Sequence, residues 1–396
     1  MSMQNPVFIP GPTNIPEALR RACDMPTIDH RSPLFGQILH PARTGVRRVL
    51  KSDSAEIFLF PSTGTGGWET ALSNTLSPGD GVLVARNGMF SARWIDMCER
   101  HGLEMTIIET PWGEGIPADR FEEALTADTG HRIKAVLATH NETATGVRSD
   151  IAAVRRAMDA AGHPAMLFVD GVSSIASMDF RFDEWGVDVA VTGSQKGFML
   201  PPGLAILGFS QRALEARATA TLPRTFFDTR DMERGYAANG YPYTPAVGLM
   251  NGLNIACDML LSEGLEAVFA RHHRIAEGVR AAVAAWGLKL CAVRPELQSD
   301  TVSAIRTPEG FDANRIVAHA AEAYGVAFGT GLGAVAGKVF RIGHLGSLTD
   351  VMALSGIATA EMVMADLGLP VTLGSGTAAA QEVYRATRAT ALKDAA

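Results

Sequence analysis

Thr192-Gly193-Ser194-Gln195-Lys196-Gly197-Phe198-Met199-Leu200-Pro201-Pro202-Gly203 places a lysine among small residues, just after the apolar run 187–191 and before two prolines and a second apolar run, 204–207. A surface lysine needs no such setting. A lysine that forms an imine does: its amine must be desolvated to lose its proton, and small neighbours must leave room for the carbonyl partner. Lys196 is therefore read as a Schiff-base lysine for pyridoxal phosphate. Such a lysine requires partners for a ring nitrogen, a phosphate and a substrate.

Short apolar runs recur on both sides of this stretch, at 57–61, 82–85, 105–108, 135–138, 166–169, 187–191 and 204–209. Helical patterns such as 94–101 and 151–161 separate most of them. Continuous apolar strands alternating with helices predict an α/β domain with a mostly parallel sheet. The run at 204–209 follows the lysine loop too closely for a crossover helix, so it is expected to be antiparallel. Residues 5–20 carry Pro6, Pro10, Pro12 and Pro16 and read as an extended arm, expected to lie on a neighbouring subunit. Residues 211–250 read as irregular, 247–286 as long helix with a bend near Gly264, and the remainder as a smaller α+β domain. Its expected strands are 288–293, 302–305 and 339–342, its helices 312–324 and 349–366, with a final helix in the tail. The expected division is an arm at 1–21, a large domain at 22–262 and a small domain at 263–396.

The chain has 396 residues, 47% of them hydrophobic, enough for a large core. Mean hydropathy is +0.10, yet no apolar run approaches the ~18–20 residues that cross a bilayer. A net charge of −7 argues against nucleic acid or an anionic membrane as partner. Cys23, Cys98, Cys257 and Cys291 are scattered, with no paired spacing for zinc or a disulfide framework. No metal site is expected, and with no secretory pattern at the N-terminus a cytoplasmic setting fits best.

The partners can be sought at the strand ends, where open α/β sheets bind ligands. Asp170 closes the run 166–169. An acid there can cap a helix or bind a metal; beside an imine lysine it holds a pyridine nitrogen protonated and so makes the ring an electron sink. Thr63-Gly64-Thr65-Gly66-Gly67 follows the run 57–61 and suits a phosphate through free N–H groups at a helix N-terminus, although a simple cap is the alternative. It is neither a Walker loop nor a dinucleotide fingerprint. His140-Asn141-Glu142-Thr143-Ala144-Thr145 suits hydrogen bonds to a ring hydroxyl and to substrate, or forms a polar turn. Phe90 either stacks on a flat cofactor or belongs to the core. Arg341, inside the apolar run of the small domain, needs a carboxylate: that of an amino-acid substrate, or one across a domain interface.

With these residues in place the chain resembles the class V, fold-type I pyridoxal-phosphate aminotransferases, and within them the serine–glyoxylate and alanine–glyoxylate group. The likeness runs from Pro10-Gly11-Pro12-Thr13-Asn14-Ile15-Pro16 through Lys196 to Lys338-Val339-Phe340-Arg341-Ile342-Gly343. It implies a large domain with a mostly parallel seven-stranded sheet and a smaller C-terminal α+β domain. It implies that Lys196 carries the cofactor and moves the substrate Cα proton, with Asp170 at the ring nitrogen. Thr63, Gly64, Thr65 and Gln195 would serve the phosphate, Thr143 the ring, and Phe90 would stack where the family often has tryptophan. Tyr241 and Thr244 match residues that reach the phosphate from a second subunit, which implies a homodimer or higher oligomer with shared sites. Arg341 matches the grip on the substrate α-carboxylate.

The same resemblance makes glyoxylate the acceptor and glycine the product. Trp112-Gly113-Glu114-Gly115 and Pro223-Arg224-Thr225-Phe226-Phe227-Asp228 resemble a branch that uses L-aspartate and yields oxaloacetate in glyoxylate assimilation; L-serine, yielding hydroxypyruvate, is the alternative donor. An aspartate donor needs a second cationic or donor group, for which Arg31, His40, Arg43 and Arg224 are candidates. A cysteine desulfurase would require a reactive cysteine on a small-domain loop, and 325–346 contains none. A catalytically silent ligand-binding domain would not require Lys196, Asp170 and Arg341 together.

Overall fold

The computed structural model describes residues 6–394, with side chains described as far as residue 387. Seven strands form the large sheet in the order Glu56–Ser62, Gly203–Phe209, Val189–Gly193, Met166–Asp170, Ile133–Thr139, Gly81–Arg86, Glu104–Glu109. All seven expected strands are present. Gly203–Phe209 runs antiparallel to both neighbours, while the pairings of the other strands are parallel. The cause is local: nine residues, 194–202, link it to Val189–Gly193. Ser194 closes that loop. Its N–H donates to Leu204 O, its hydroxyl donates to Pro201 O at 2.7 Å, and Leu204 N donates back to the hydroxyl.

Burial on both faces explains the unbroken apolar runs of these strands. Helix Gly64–Thr75 packs close over one face; a Cβ at Gly67 would stand 2.5 Å from Val191 Cγ1, so the approach depends on glycine. The strand Met166–Asp170 is buried at every position, which leaves Asp170 at the edge of an apolar layer.

The small domain holds a five-stranded sheet in the order Val7–Phe8, Ala327–Thr330, Val339–Gly343, Val302–Arg306, Lys289–Leu290. Helices Leu265–Ala285, Asn314–Tyr324, Asp350–Asp366 and Ser375–Asp394 belong to the same part of the chain. Its core gathers Phe8, Trp286, Ile305, Phe340, Ile357 and Tyr384. The large-domain core runs on through Leu265 and Val268, so the first turns of helix Leu265–Ala285 belong to it by packing. The expected bend at Gly264 is a break between that helix and Val247–Glu263, with φ at 87°.

Several expectations require correction. The arm lies on its own chain: Val7–Phe8 pairs parallel with Ala327–Phe328 as an edge strand, and the arm then turns into helix Glu17–Cys23, which crosses the expected boundary at residue 21. Its residues 1–5 lie outside those described. The stretch 211–250 holds two helices, Gln211–Ala216 and Thr229–Ala237. The Ser210 and Asp228 side chains cap them by accepting from Ala213 N and Arg230 N, a signal that the polar composition concealed. The helix expected at 94–101 begins at Met89. The strand expected at 288–293 shortens to Lys289–Leu290, and Ala327–Thr330 pairs as a strand despite its glycine.

Phe8 is 1% exposed, rests against Phe328 at 6.0 Å between centroids, and ties the arm into the small-domain core. Phe8→Ala is expected to destabilise that core by about 3–5 kcal/mol in denaturant unfolding. A loss below about 1 kcal/mol would show that the arm is not part of the packed core.

Candidate active site

The C-terminal ends of the parallel strands converge on a cavity of about 130 Å³. Thr63, Gly64 and Thr65 line one side of it, and Phe90, Thr143, Asp170, Gln195 and Lys196 the rest. Thus eight of the eleven expected site residues meet at one place. Trp68, Val172 and Ser173 complete the wall. A larger cleft of about 590 Å³, bordered by Trp185 and Asp300, takes His140 from the polar stretch 140–145 but none of the eleven.

Lys196 Nζ donates to Pro10 O at 2.5 Å, and Thr13 N donates to Gln195 O at 3.3 Å, so the arm crosses directly over the lysine loop. A Cβ at Gly11 would stand 2.5 Å from Lys196 Nζ, so this point of the arm must be glycine. Part of the lysine side chain faces the cavity, but its amine is desolvated. Burial first, and the Arg341 guanidinium second, bring the amine down to about 8, against the opposing pull of Asp170.

Asp170 is 4% exposed. Burial pushes its carboxyl up to about 7, opposed by Val172 N, which donates to Oδ1 at 3.0 Å, and by the nearby Trp68 indole. The buried Trp68 N–H points toward this carboxylate yet makes no hydrogen bond of good geometry. The ionised form of Asp170 thus gains from any cation that enters beside it.

Helix Gly64–Thr75 starts at the cavity with Thr63 as N-cap and no side-chain cap bond, leaving its first N–H groups toward the cavity. Thr63 and Thr65 are exposed at the rim. Gln195 Oε1 is buried without a partner. Thr143 and Ser173 share a hydroxyl hydrogen bond of 2.7 Å, and Asn141 Nδ2 donates to Ser173 Oγ at 2.8 Å. Phe90 is half-buried at the cavity wall, where it can act as a face.

Arg341 stands on Val339–Gly343, 7% exposed. Its Nε donates to Thr330 O at 2.8 Å and its Nη1 to Thr143 O at 2.9 Å, one carbonyl from each domain. Among the described residues it forms no ion pair, so a structural inter-domain salt bridge is not its role. Burial lowers its pKa to about 10, opposed by the charge of Glu142.

The structure does not bring Tyr241 and Thr244 to this cavity. Tyr241 faces inward: its hydroxyl donates to Leu59 O at 2.6 Å, and its ring packs edge-on to Phe35. Within one chain its hydroxyl is therefore committed to Leu59 O, away from that chain's own cavity. Thr244 is exposed. None of the four candidates for a second carboxylate grip lines the cavity either. Arg43 pairs with Glu56, Arg224 donates to Ser73 O and Leu222 O, His40 bonds Asn239, and Arg31 is exposed.

Sequence reasoning missed Trp68, Ser173 and the Pro10 carbonyl, and it offered Glu142 to ring or substrate where the structure gives it to backbone N–H groups. Trp68 and Ser173 lie one helical turn or a few residues beyond motifs already singled out, which is the signal that could have found them. The Pro10 contact joins residues 186 apart and leaves no local signal.

Uptake of pyridoxal phosphate by the apoprotein, followed by visible absorption, needs a neutral Lys196 amine. Its rate is expected to rise with pH through a midpoint near 8. Arg341→Gln removes a positive neighbour and should raise that midpoint; an unshifted midpoint would remove the Arg341–Lys196 coupling.

The family model for class-V aminotransferases matches residues 23–346. The chain is 79% identical, over the full length of both proteins, to the L-aspartate–glyoxylate aminotransferase of Paracoccus denitrificans. It is 52% identical to the serine–glyoxylate aminotransferase of Hyphomicrobium methylovorum, covering 97% of this chain and 95% of that one. The crystal structure of pyridoxamine–pyruvate aminotransferase from Mesorhizobium loti superposes with a TM-score of 0.91 at 29% identity, covering 98% of each chain. On the family match and these identities, the chain belongs to the class-V aminotransferases.

Proposed function

We propose that this protein transfers the amino group of L-aspartate to glyoxylate, giving oxaloacetate and glycine. The observation that carries the transfer chemistry is the desolvated Lys196 amine beside buried Asp170 and Arg341. The donor follows the 79% identical relative, named for L-aspartate; L-serine, named for the relative at 52%, is the second reading.

The cofactor of the class is pyridoxal phosphate, and the residues fit it. An uncapped helix N-terminus offers N–H donors for a phosphate, and buried Asp170 offers a carboxylate for a protonated ring nitrogen, in the same space. When bound, the cofactor supplies an electron sink for negative charge at the substrate Cα. Asp170 would hold a negative charge for the ring nitrogen. Thr63, Gly64, Thr65 and the Gln195 amide N–H would hold the phosphate, with Thr143 and Phe90 available to the ring. Lys196 Nζ takes the Cα proton and returns it; a pKa near 8 leaves a substantial neutral fraction for that task. Arg341 receives the substrate α-carboxylate on a guanidinium already oriented by Thr330 O and Thr143 O. Both substrates are handled in turn at one site, as a ping-pong transfer requires.

The working unit is proposed as a cytoplasmic homodimer with shared sites. Exposed Thr63 and Thr65 at the rim leave the phosphate turn open to a second copy, and exposed Thr244 is free to serve one. A dicarboxylate donor also calls for a cation that this subunit's own cavity wall lacks beyond Lys196. Among the described residues no helix is long and apolar enough to cross a membrane. The proposed division is a large domain near 22–262 and a small domain near 263–396, with the described part of the arm shared between them: Phe8 packs in the small-domain core and Leu19 in the large one. A desulfurase reading finds no support: Cys291 is buried, and burial pushes its thiol up, away from reactivity.

Lys196→Ala is expected to abolish turnover and the visible absorption of the bound cofactor; substantial remaining turnover would refute the assignment. Arg341→Ala should raise KM for amino acid and keto acid alike, by the equivalent of about 1.5–3 kcal/mol for a lost charge-assisted contact. A panel of aspartate, serine, alanine and glutamate against glyoxylate, with both products measured, decides the donor. Serine turnover well above aspartate would overturn the aspartate reading.

A further inference from the structure

Glu142 is fully buried at the site, and no step of the proposed transfer uses it. Its Oε2 accepts from Phe90 N at 3.0 Å and Ser91 N at 3.1 Å, and its Oε1 accepts from Ala144 N at 3.1 Å and, more weakly, Phe90 N at 3.3 Å. Phe90 and Ser91 open helix Met89–Arg100, whose first turn has no other acceptor for these N–H groups within the helix. Backbone Glu142 O accepts from Thr145 N and Gly146 N, which closes the hairpin of Asn141–Glu142 with Val147–Arg148. One side chain therefore joins two separate walls of the cavity, the one that carries Phe90 and the one that carries Thr143.

The seat is built for this side chain. A Cβ at Gly88 would stand 2.2 Å from Glu142 Cγ and 2.3 Å from Cδ. Gly88 has φ of 176°, an extended conformation open to any residue, so only the space taken by Glu142 demands glycine there. Every contact offered to the carboxylate is an N–H donor, and both oxygens accept. A glutamine of the same size would turn its NH₂ against another N–H. The same turn also holds Arg341, through Thr143 O. The charges that act on Glu142 and its neighbours are the attracting Arg341 and the like-charged Asp170.

We propose that Glu142 is a positioning residue for the transfer: by clamping the first turn of helix Met89–Arg100 to the 141–148 hairpin, it sets Phe90 and Thr143 at the spacing the cofactor ring requires. This rests on the reading above that Phe90 and Thr143 border the ring. A carboxylate in this seat contributes through distance and orientation, and it exchanges no proton with the substrate.

The test measures the Kd for pyridoxal phosphate on the apoprotein and the visible circular dichroism of the bound cofactor. Variants are Glu142→Gln, Gly88→Ala, Phe90→Ala and the double Glu142→Gln/Phe90→Ala. Glu142→Gln and Gly88→Ala are each expected to weaken binding roughly tenfold, the scale of one lost hydrogen bond to a charged group, and to change the cofactor's dichroism. Gly88→Ala reaches the carboxylate by steric displacement alone, so it tests the seat even if Glu142→Gln folds poorly. The double variant should lose less than the sum of the two single losses, because part of the Glu142 effect runs through Phe90. Full additivity in the double variant would overturn the proposal. So would Kd and dichroism unchanged in Glu142→Gln while thermal stability alone falls, since that marks a purely structural carboxylate. Phe90→Ala with unaltered Kd would instead refute the stacking reading and this inference with it; a weakened Phe90→Ala beside an unaltered Glu142→Gln refutes this inference alone.

Discussion

The structure depends on keeping three charges out of water within reach of one another: the Lys196 ammonium, the Asp170 carboxylate and the Arg341 guanidinium. Burial acts on each toward neutrality, lowering the two bases and raising the acid. Mutual fields decide how far each moves. Arg341 pushes the lysine further toward its neutral, nucleophilic form, while Asp170 restrains it. None of this survives if the groups drift apart or water enters, so the fold can be understood as the device that holds them.

Three separate parts of the chain supply that device. The large sheet presents Asp170 and the Lys196 loop at adjacent strand ends, since Met166–Asp170 and Val189–Gly193 pair directly. The small domain brings Arg341 from a different sheet and docks it on Thr143 O. The arm joins the two. Phe8 is buried in the small-domain core, and a few residues later Pro10 O accepts from Lys196 Nζ. Glycines mark each close approach: a Cβ at Gly343 would stand 2.2 Å from Ile9 O, and one at Gly11 would meet the lysine itself. The small domain is thus tied to the lysine through covalent chain as well as through packing.

The legible and illegible parts of the chain divide along physical lines. Strands of the large sheet were legible because burial on both faces forces continuous apolar runs, and the antiparallel strand was legible because nine residues cannot form a crossover. Helices Gln211–Ala216 and Thr229–Ala237 were not, because they are short, polar on their outer faces, and seated in the core by only a few side chains such as Ala213, Met232 and Tyr236. The edge strand Val7–Phe8 carries two residues and owes its existence to a partner more than 300 residues away. The surroundings of Tyr241 were not legible either, since a tyrosine between Pro-containing turns gives no local sign of what its ring packs on; here Phe35 and Leu59 O meet it.

The sequence by itself determined the chemistry. A lysine among small residues, an acid at a strand end, a hydroxyl- and glycine-rich turn and an arginine in an apolar strand each carry a local physical demand, and a reader can see each demand without coordinates. The tertiary structure alone decided which groups share a cavity, that the arm lies over its own lysine, that Arg341 rests on carbonyls from both domains, and that Glu142 joins two walls of the site. Those facts depend on through-space distances between residues far apart in the chain. Burial and the fields between buried charges are set by those distances, and no local pattern encodes them.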